Sequence, residues 1–248
     1  MDSITSAVAI TPAVILMIVI YRADKLEKES LGLLLRIIIF GALAIPVAIA
    51  LETVGESFVL PVLFRENSLS WMLFDNFIVV AVSEEFSKYI FMKRITWKSH
   101  EFNCQFDAVV YCVVASLSFA LIENLGYVGM MGLSVGLMRA VTAVPGHACF
   151  GAIMGIYYGR AKRFESEGHT GKAASLRKAA VIIPALWHGA YDFLATAGSA
   201  AVAGFFGLVV VMYIYTIALV RKAAKNDSYF VGIGGAEDIS YYLFNNKR

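Results

Sequence analysis

Charge is the scarcest commodity in this 248-residue chain: Asp, Glu, Lys and Arg make up 16% of it, against about 25% in an average soluble domain. Too few charged groups are present to cover the surface of a water-soluble globule of this size. With 59% hydrophobic residues and a mean hydropathy of +0.70, a disordered chain is excluded as well. Net charge is +2, which gives no basic footprint for a nucleic-acid partner. The three cysteines, Cys104, Cys112 and Cys149, form no CxxC pair and no even-numbered framework, so they read as reduced interior residues. No internal repeat and no low-complexity tract occurs. No HExxH is present, so the usual helix-borne zinc protease motif is missing.

Long apolar runs are what the chain has in abundance. A membrane helix needs roughly 20 mostly apolar residues, and seven such stretches are found: Ser6–Tyr21, Leu33–Val54, Leu69–Met92, Phe106–Met130, Leu133–Gly159, Leu176–Ala197 and Ala200–Val220. The first has Asp2 and neither Lys nor Arg ahead of it, and no small-residue cleavage pattern after it. It therefore reads as a retained span and not as a signal peptide. Basic loop residues alternate strictly between the two sides. Arg22, Lys25 and Lys28 follow span one; Lys93, Arg94 and Lys98 follow span three. Six more, Arg160 to Lys178, follow span five, and Arg221, Lys222, Lys225, Lys247 and Arg248 follow span seven; Arg65 alone lies on the other side. By the positive-inside rule this places the N-terminus outside and the C-terminus in the cytoplasm. The expectation is an all-α polytopic transmembrane bundle of about seven spans in the cell membrane, residues 1–225, followed by a short polar cytoplasmic tail, 226–248. Two motif matches are decoys. Gly132-Leu133-Ser134-Val135-Gly136 fits GxSxG but lacks the strand–turn–helix elbow that the motif requires. Val231–Gly235 (VGIGG) lacks the strand and helix that a phosphate loop requires.

An ionisable group in mid-span costs about 2.5–3.5 kcal/mol on insertion scales. Spans three to six nevertheless carry Glu84, Glu85 and Lys88; Glu123 beside Asn124; Arg139 and His147; and His188 with Asp192. Such groups must meet one another, or water, inside the bundle. Glu84 and Lys88 are one helical turn apart, as are His188 and Asp192, so Asp192 can fix the tautomer of His188. His147, Gly151, Gly155 and Gly159 recur every four residues, a stripe on which another helix can pack closely, and Pro145 can kink the helix there. Arg139 reads as snorkelling to the interface, and Asp75 and Asp107 as interfacial. Each paired group has a structural alternative, an ion pair that merely holds helices together. Glu84, Glu85, Glu123 and Asp192 against Lys88 and Arg139 leave a formal −2, which one divalent cation or two protons would balance. Two adjacent glutamates provide a general base; His147, His188 and Glu123 provide a possible zinc ligand set. The residues leave metal-activated and glutamate-activated water both open. An ion- or proton-coupled transporter is the rival reading, since carboxylate and histidine chains also relay protons, but repeats and matched broken half-helices are missing. A non-catalytic scaffold glued by polar groups is the third.

Four ordered motifs sharpen the reading. Glu84-Glu85-Phe86-Ser87-Lys88 (EExxK), Phe119 to Glu123 and Asn124 (FxxxEN), Pro145-Gly146-His147, and His188 to Asp192 (HxxxD) fall on four successive spans between Leu69 and Ala197. In this order they resemble the PrsW family of intramembrane proteases, in the wider clan of CAAX-processing and bacteriocin-processing enzymes. CAAX-type relatives carry histidine and asparagine where this chain has Glu123 and Asp192, which favours the PrsW branch. The resemblance implies hydrolysis of a peptide bond in or near the bilayer, with a membrane-anchored protein such as an anti-sigma factor as substrate. It implies a site built from Glu84, Glu85, Lys88, Glu123, Asn124, His147, His188 and Asp192, with one divalent metal or none.

Overall fold

The structure, a computed structural model, describes residues 3–230. The Val231–Gly235 stretch and the rest of the tail lie outside the described residues. The chain is all-α. In order the elements are α1 (Ser3–Ala23), α2 (Leu31–Val54), a π-helical turn (Gly55–Val59), α3 (Leu60–Leu63), α4 (Leu69–Phe74), a second π-helical turn (Asp75–Val80), α5 (Ala81–Thr96), α6 (Asp107–Met131), α7 (Leu133–Val141), α8 (Ala143–Ser166), α9 (Thr170–Thr196), a 3₁₀ turn (Ser199–Ala201) and α10 (Val202–Lys225). Taken end to end they form seven long helical segments, matching the seven apolar runs. Five have the length and apolarity to cross a membrane: Thr5–Ala23, Leu31–Leu63, Asp107–Met131, Leu133–Ser166 and Ser199–Lys225. The other two, α4 to α5 and α9, carry the mid-helix charges that lower their hydropathy. The protein is a multi-pass membrane protein.

α6 is the central post. Every residue from Asp107 to Ala120 is buried, as expected of a helix apolar on all sides; α1, α2, α5, α7 and α8 pack against it, and α9 packs on α8 and α5. The outer helices turn Ile15, Leu35, Ile39, Val210 and Ile214 outward, a surface suited to acyl chains. The α6–α8 contact depends on the glycine stripe. A Cβ at Gly151 would lie 2.7 Å from the Cys112 carbonyl oxygen, and one at Gly155 would lie 2.5 Å from Val109 Cα, so only hydrogen fits between these backbones. The same holds where α2 crosses α6 at Gly41, 2.6 Å from the Ala115 carbonyl oxygen. The two π turns also touch, since a Cβ on Gly55 would meet Val79 Cγ1 at 2.5 Å.

The fifth apolar run is broken, and the break lies at Thr142, whose φ of −121° and ψ of −69° leave the helical region. Pro145 supplies the reason. It has no N–H to give the Val141 carbonyl four residues before it. The Tyr213 hydroxyl of α10 stands in, 2.8 Å from Val141 O and 3.1 Å from Thr142 O. Ser134 of the GxSxG match sits exposed in α7, with no elbow around it. All three cysteines are free and buried.

Two sequence expectations are corrected. Arg139 does not snorkel outward: its Nη2 pairs with Glu123 Oε2 at 3.0 Å and its Nε donates to Asn124 Oδ1 at 3.1 Å. The guanidinium covers the Tyr127 ring at 3.9 Å. Span position gives depth only, and the rotation of α7 turns this side chain inward. Asp107 does not face the interface either. It is fully buried, and its Oδ2 accepts the backbone N–H groups of Asn103 and Cys104, which leaves its side chain closing the loop into α6.

Candidate active site

The four motif helices bring their polar groups together about 24 Å along α6 from its Asp107 end, at 1.5 Å per residue. On α5, helical spacing aims Glu84, Glu85 and Lys88 to one side. Lys88 Nζ lies 2.9 Å from Glu84 Oε2, 2.8 Å from Glu85 Oε1 and 3.1 Å from His147 Nδ1, and sits over the Phe119 ring at 4.2 Å. An ammonium has three hydrogens and accepts none. His147 Nδ1 must therefore be the acceptor, which puts the imidazole hydrogen on Nε2, where it donates to Glu123 Oε2 at 2.9 Å. His147 is thus neutral, its tautomer assigned by the network.

His188 has the opposite environment. Its Nδ1 is 3.0 Å from Glu85 Oε1 and its Nε2 is 3.1 Å from Asp192 Oδ2, while its ring stacks on Phe150 at 4.6 Å. With a carboxylate oxygen beside each nitrogen, this ring stands in anionic surroundings, unlike that of His147. The rings of His147 and His188 are 5.4 Å apart, held from opposite sides by the Lys88–Glu85 pair.

Exposure orders the acids. The Glu85 side chain is 0% exposed and that of Glu84 9%, while those of Glu123 and Asp192 reach 21% and 24%. The cluster therefore opens along Glu123, Glu84 and Asp192, with Glu85 at the back. Asn124 lies to the side. Its Nδ2 donates to the Ala9 carbonyl of α1 and its Oδ1 receives Arg139, so it anchors the helices that carry the site. Glu52 of α2 was not among the expected residues. It interacts electrostatically with Glu84, Glu123 and Lys88, and its Oε1 is shielded and accepts no hydrogen bond among the described residues. Its place near the end of a span concealed it. Tyr213, well inside α10 and uncharged, gave no signal either.

Donor chemistry fits a divalent metal. Glu84, Glu85 and His147 offer two carboxylate oxygens and an imidazole nitrogen within 4.8 Å of one another, the kind of N/O set that zinc takes. A cation already stands among them, the ammonium of Lys88. His188 and Glu123, also expected as ligands, flank this group, each with a ring nitrogen or carboxylate engaged as described above. A second group of three, Asp24, Glu29 and Asp107, can likewise hold a divalent cation.

Comparison with known proteins gives the family. The chain is 32% identical over 232 residues to Protease PrsW of Oceanobacillus iheyensis, covering 91% of this chain and 98% of that one. It is 30% identical to Protease PrsW of Bacillus subtilis, covering 91% and 96%. To Protease PrsW of Clostridioides difficile it is 30% identical, covering 75% and 76%. No solved structure matches. The family model for PrsW family intramembrane metalloprotease matches residues 29–219, and the chain belongs to that family.

Proposed function

We propose that this intramembrane protease hydrolyses a peptide bond of a membrane-anchored protein, of the anti-sigma-factor kind, with Glu84 as the proton acceptor. The chain would cross the membrane seven times with its basic loops and C-terminus in the cytoplasm. The observation that carries the assignment is the unequal exposure of the adjacent glutamates: Glu84 borders the opening, whereas Glu85 is sealed behind it. Glu84 takes a proton from water, the hydroxide adds to the scissile carbonyl carbon, and the same carboxyl returns the proton to the leaving nitrogen. Lys88 fixes the rotamers of both glutamates. Glu85 holds Lys88 and His188 in place, and Asp192 orients His188. Arg139 and His147 grip Glu123 at the mouth, and the positive groups Lys88 and Arg139 stabilise the negative charge that develops on the carbonyl oxygen. A divalent metal, held by Glu84, Glu85 and His147 with Lys88 withdrawn, would supply Lewis-acid polarisation and activation of water.

The test is cleavage of a membrane-anchored reporter by purified protein in nanodiscs. Glu84→Gln, Glu123→Gln, His147→Ala and His188→Ala should each abolish cleavage while the protein still inserts. Full activity in the Glu84→Gln, Glu85→Gln double variant would sink the assignment. Proton flux without proteolysis would point to a transporter instead.

A further inference from the structure

At the other end of the bundle, where the α1–α2 loop, the start of α6 and the segment after α10 converge, lies a buried acidic group that the proposed reaction does not use. Asp24 is 2% exposed, Glu29 4% and Asp107 0%, and they bring one oxygen each within 4.8 Å of one another. Glu29 and Asp107 each use one oxygen on the protein and leave the other. Glu29 Oε2 accepts from the Tyr111 hydroxyl at 2.7 Å, and Asp107 Oδ2 accepts from Cys104 N at 2.7 Å. Glu29 Oε1, Asp107 Oδ1 and both oxygens of Asp24 are shielded and accept no hydrogen bond among the described residues. Asn103 Oδ1 and Asp227 Oδ2 are in the same condition. Lys28 gives hydrogens to the carbonyls of Tyr21 and Asp24.

We infer that Asp24, Glu29 and Asp107 form a second cation site, specific for a hard, oxygen-seeking divalent ion, Mg²⁺ or Ca²⁺. The donors are oxygens alone, which disfavours zinc and favours a hard ion. Buried unpaired carboxylates are too costly to persist, so the group needs protons or a cation. The ion would pin the α1–α2 loop to the head of α6. Asp227, whose Oδ1 receives Phe106 N at 2.9 Å, brings the chain after α10 to the same place.

Full-length protein in nanodiscs, stripped with chelator, is titrated with Mg²⁺ and, separately, with Ca²⁺. Bound metal is counted by mass spectrometry and thermal unfolding is followed. The expected result is about one ion per chain and a melting temperature that rises with one or both ions. Asp24→Asn and Glu29→Gln should lose both effects, whereas Glu84→Gln keeps them. Absence of binding and of any melting shift in the parent protein at about 10 mM of either ion, the weak end of oxygen-ligand sites, overturns the inference. So does an unchanged response in the Asp24→Asn, Glu29→Gln double variant.

Discussion

Replacing Lys88 by methionine keeps most of the aliphatic stem and removes the ammonium that joins Glu84, Glu85 and His147. Lys88 is 1% exposed, so water cannot take over its hydrogen bonds. Glu84 and Glu85 would be left facing each other, with Glu85 still held by His188. Breaking a buried ion pair from one side costs about 3–5 kcal/mol. For a chain of this size each kcal/mol moves the melting temperature by about 2–4 °C, so the expected drop is about 6–20 °C. The cost comes from the orphaned carboxylate, so Lys88→Met combined with Glu85→Gln should recover at least about 2 kcal/mol relative to additivity. The three-donor set also predicts that zinc restores part of the stability of Lys88→Met, and none of it when both glutamates are changed to glutamine. Tryptophan-fluorescence melts in nanodiscs read all of these. A Lys88→Met protein that melts with the parent, or strictly additive single and double variants, would refute the view that this ammonium neutralises the pair.

Three further outcomes follow from other parts of the molecule. Gly155→Ala places a methyl 2.5 Å from Val109 Cα, so α8 must retreat from α6 by about 1 Å; the overpacking should cost about 1–3 kcal/mol, and cleavage should fall on the order of 100-fold as His147 shifts with the helix. Tyr213→Phe leaves the Val141 carbonyl without its hydroxyl donor, while Thr142 O keeps Gly146 N; unfolding measurements should show a loss of about 1 kcal/mol, with a larger proportional loss of cleavage, because the α7–α8 break places Arg139 and His147 together on Glu123. In chelator, the Asp24 carboxyl, raised from 3.8 to about 6 in the folded protein, binds its proton more tightly folded than unfolded. Its stabilising contribution is complete below 3.8 and lost as pH rises through 6. Asp24→Asn should flatten melting temperature against pH in that window.

Much of this was legible in the sequence because it follows from periodicity within single helices. The Glu84–Lys88 and His188–Asp192 contacts, at 2.9 Å and 3.1 Å, are one-turn relations. The four motifs named the helices that had to meet, and the glycine stripe after His147 named the close contact with a neighbour. What could not be read was rotation between helices. Arg139 and Glu52 sit at depths typical of interfacial residues, and only the azimuth of α7 and α2 turns them toward Glu123 and Glu84. The anionic surroundings of His188 were hidden for the same reason, since Glu85 comes from a helix 103 residues away. Asp24, Glu29, Asp107 and Asp227 are scattered over three segments with no spacing in common, so their convergence left no pattern.

The π-helical turn Asp75–Val80 has a consequence for length. Its closing bond runs from Ala81 N to Asn76 O, a ring one residue wider than the α-helical one. That ring takes up one extra residue, so deleting one there would restore ordinary winding and keep the downstream face, whereas deleting Val82 from the α-helical turns of α5 would swing everything downstream by about 100° around the axis. Glu84, Glu85 and Lys88 would then face away from His147 without any of them having been altered. A one-residue deletion within Asp75–Val80 should therefore be tolerated better than deletion of Val82, which should silence the enzyme as completely as loss of Glu84. The site is thus indexed by a count of residues as well as by their identities.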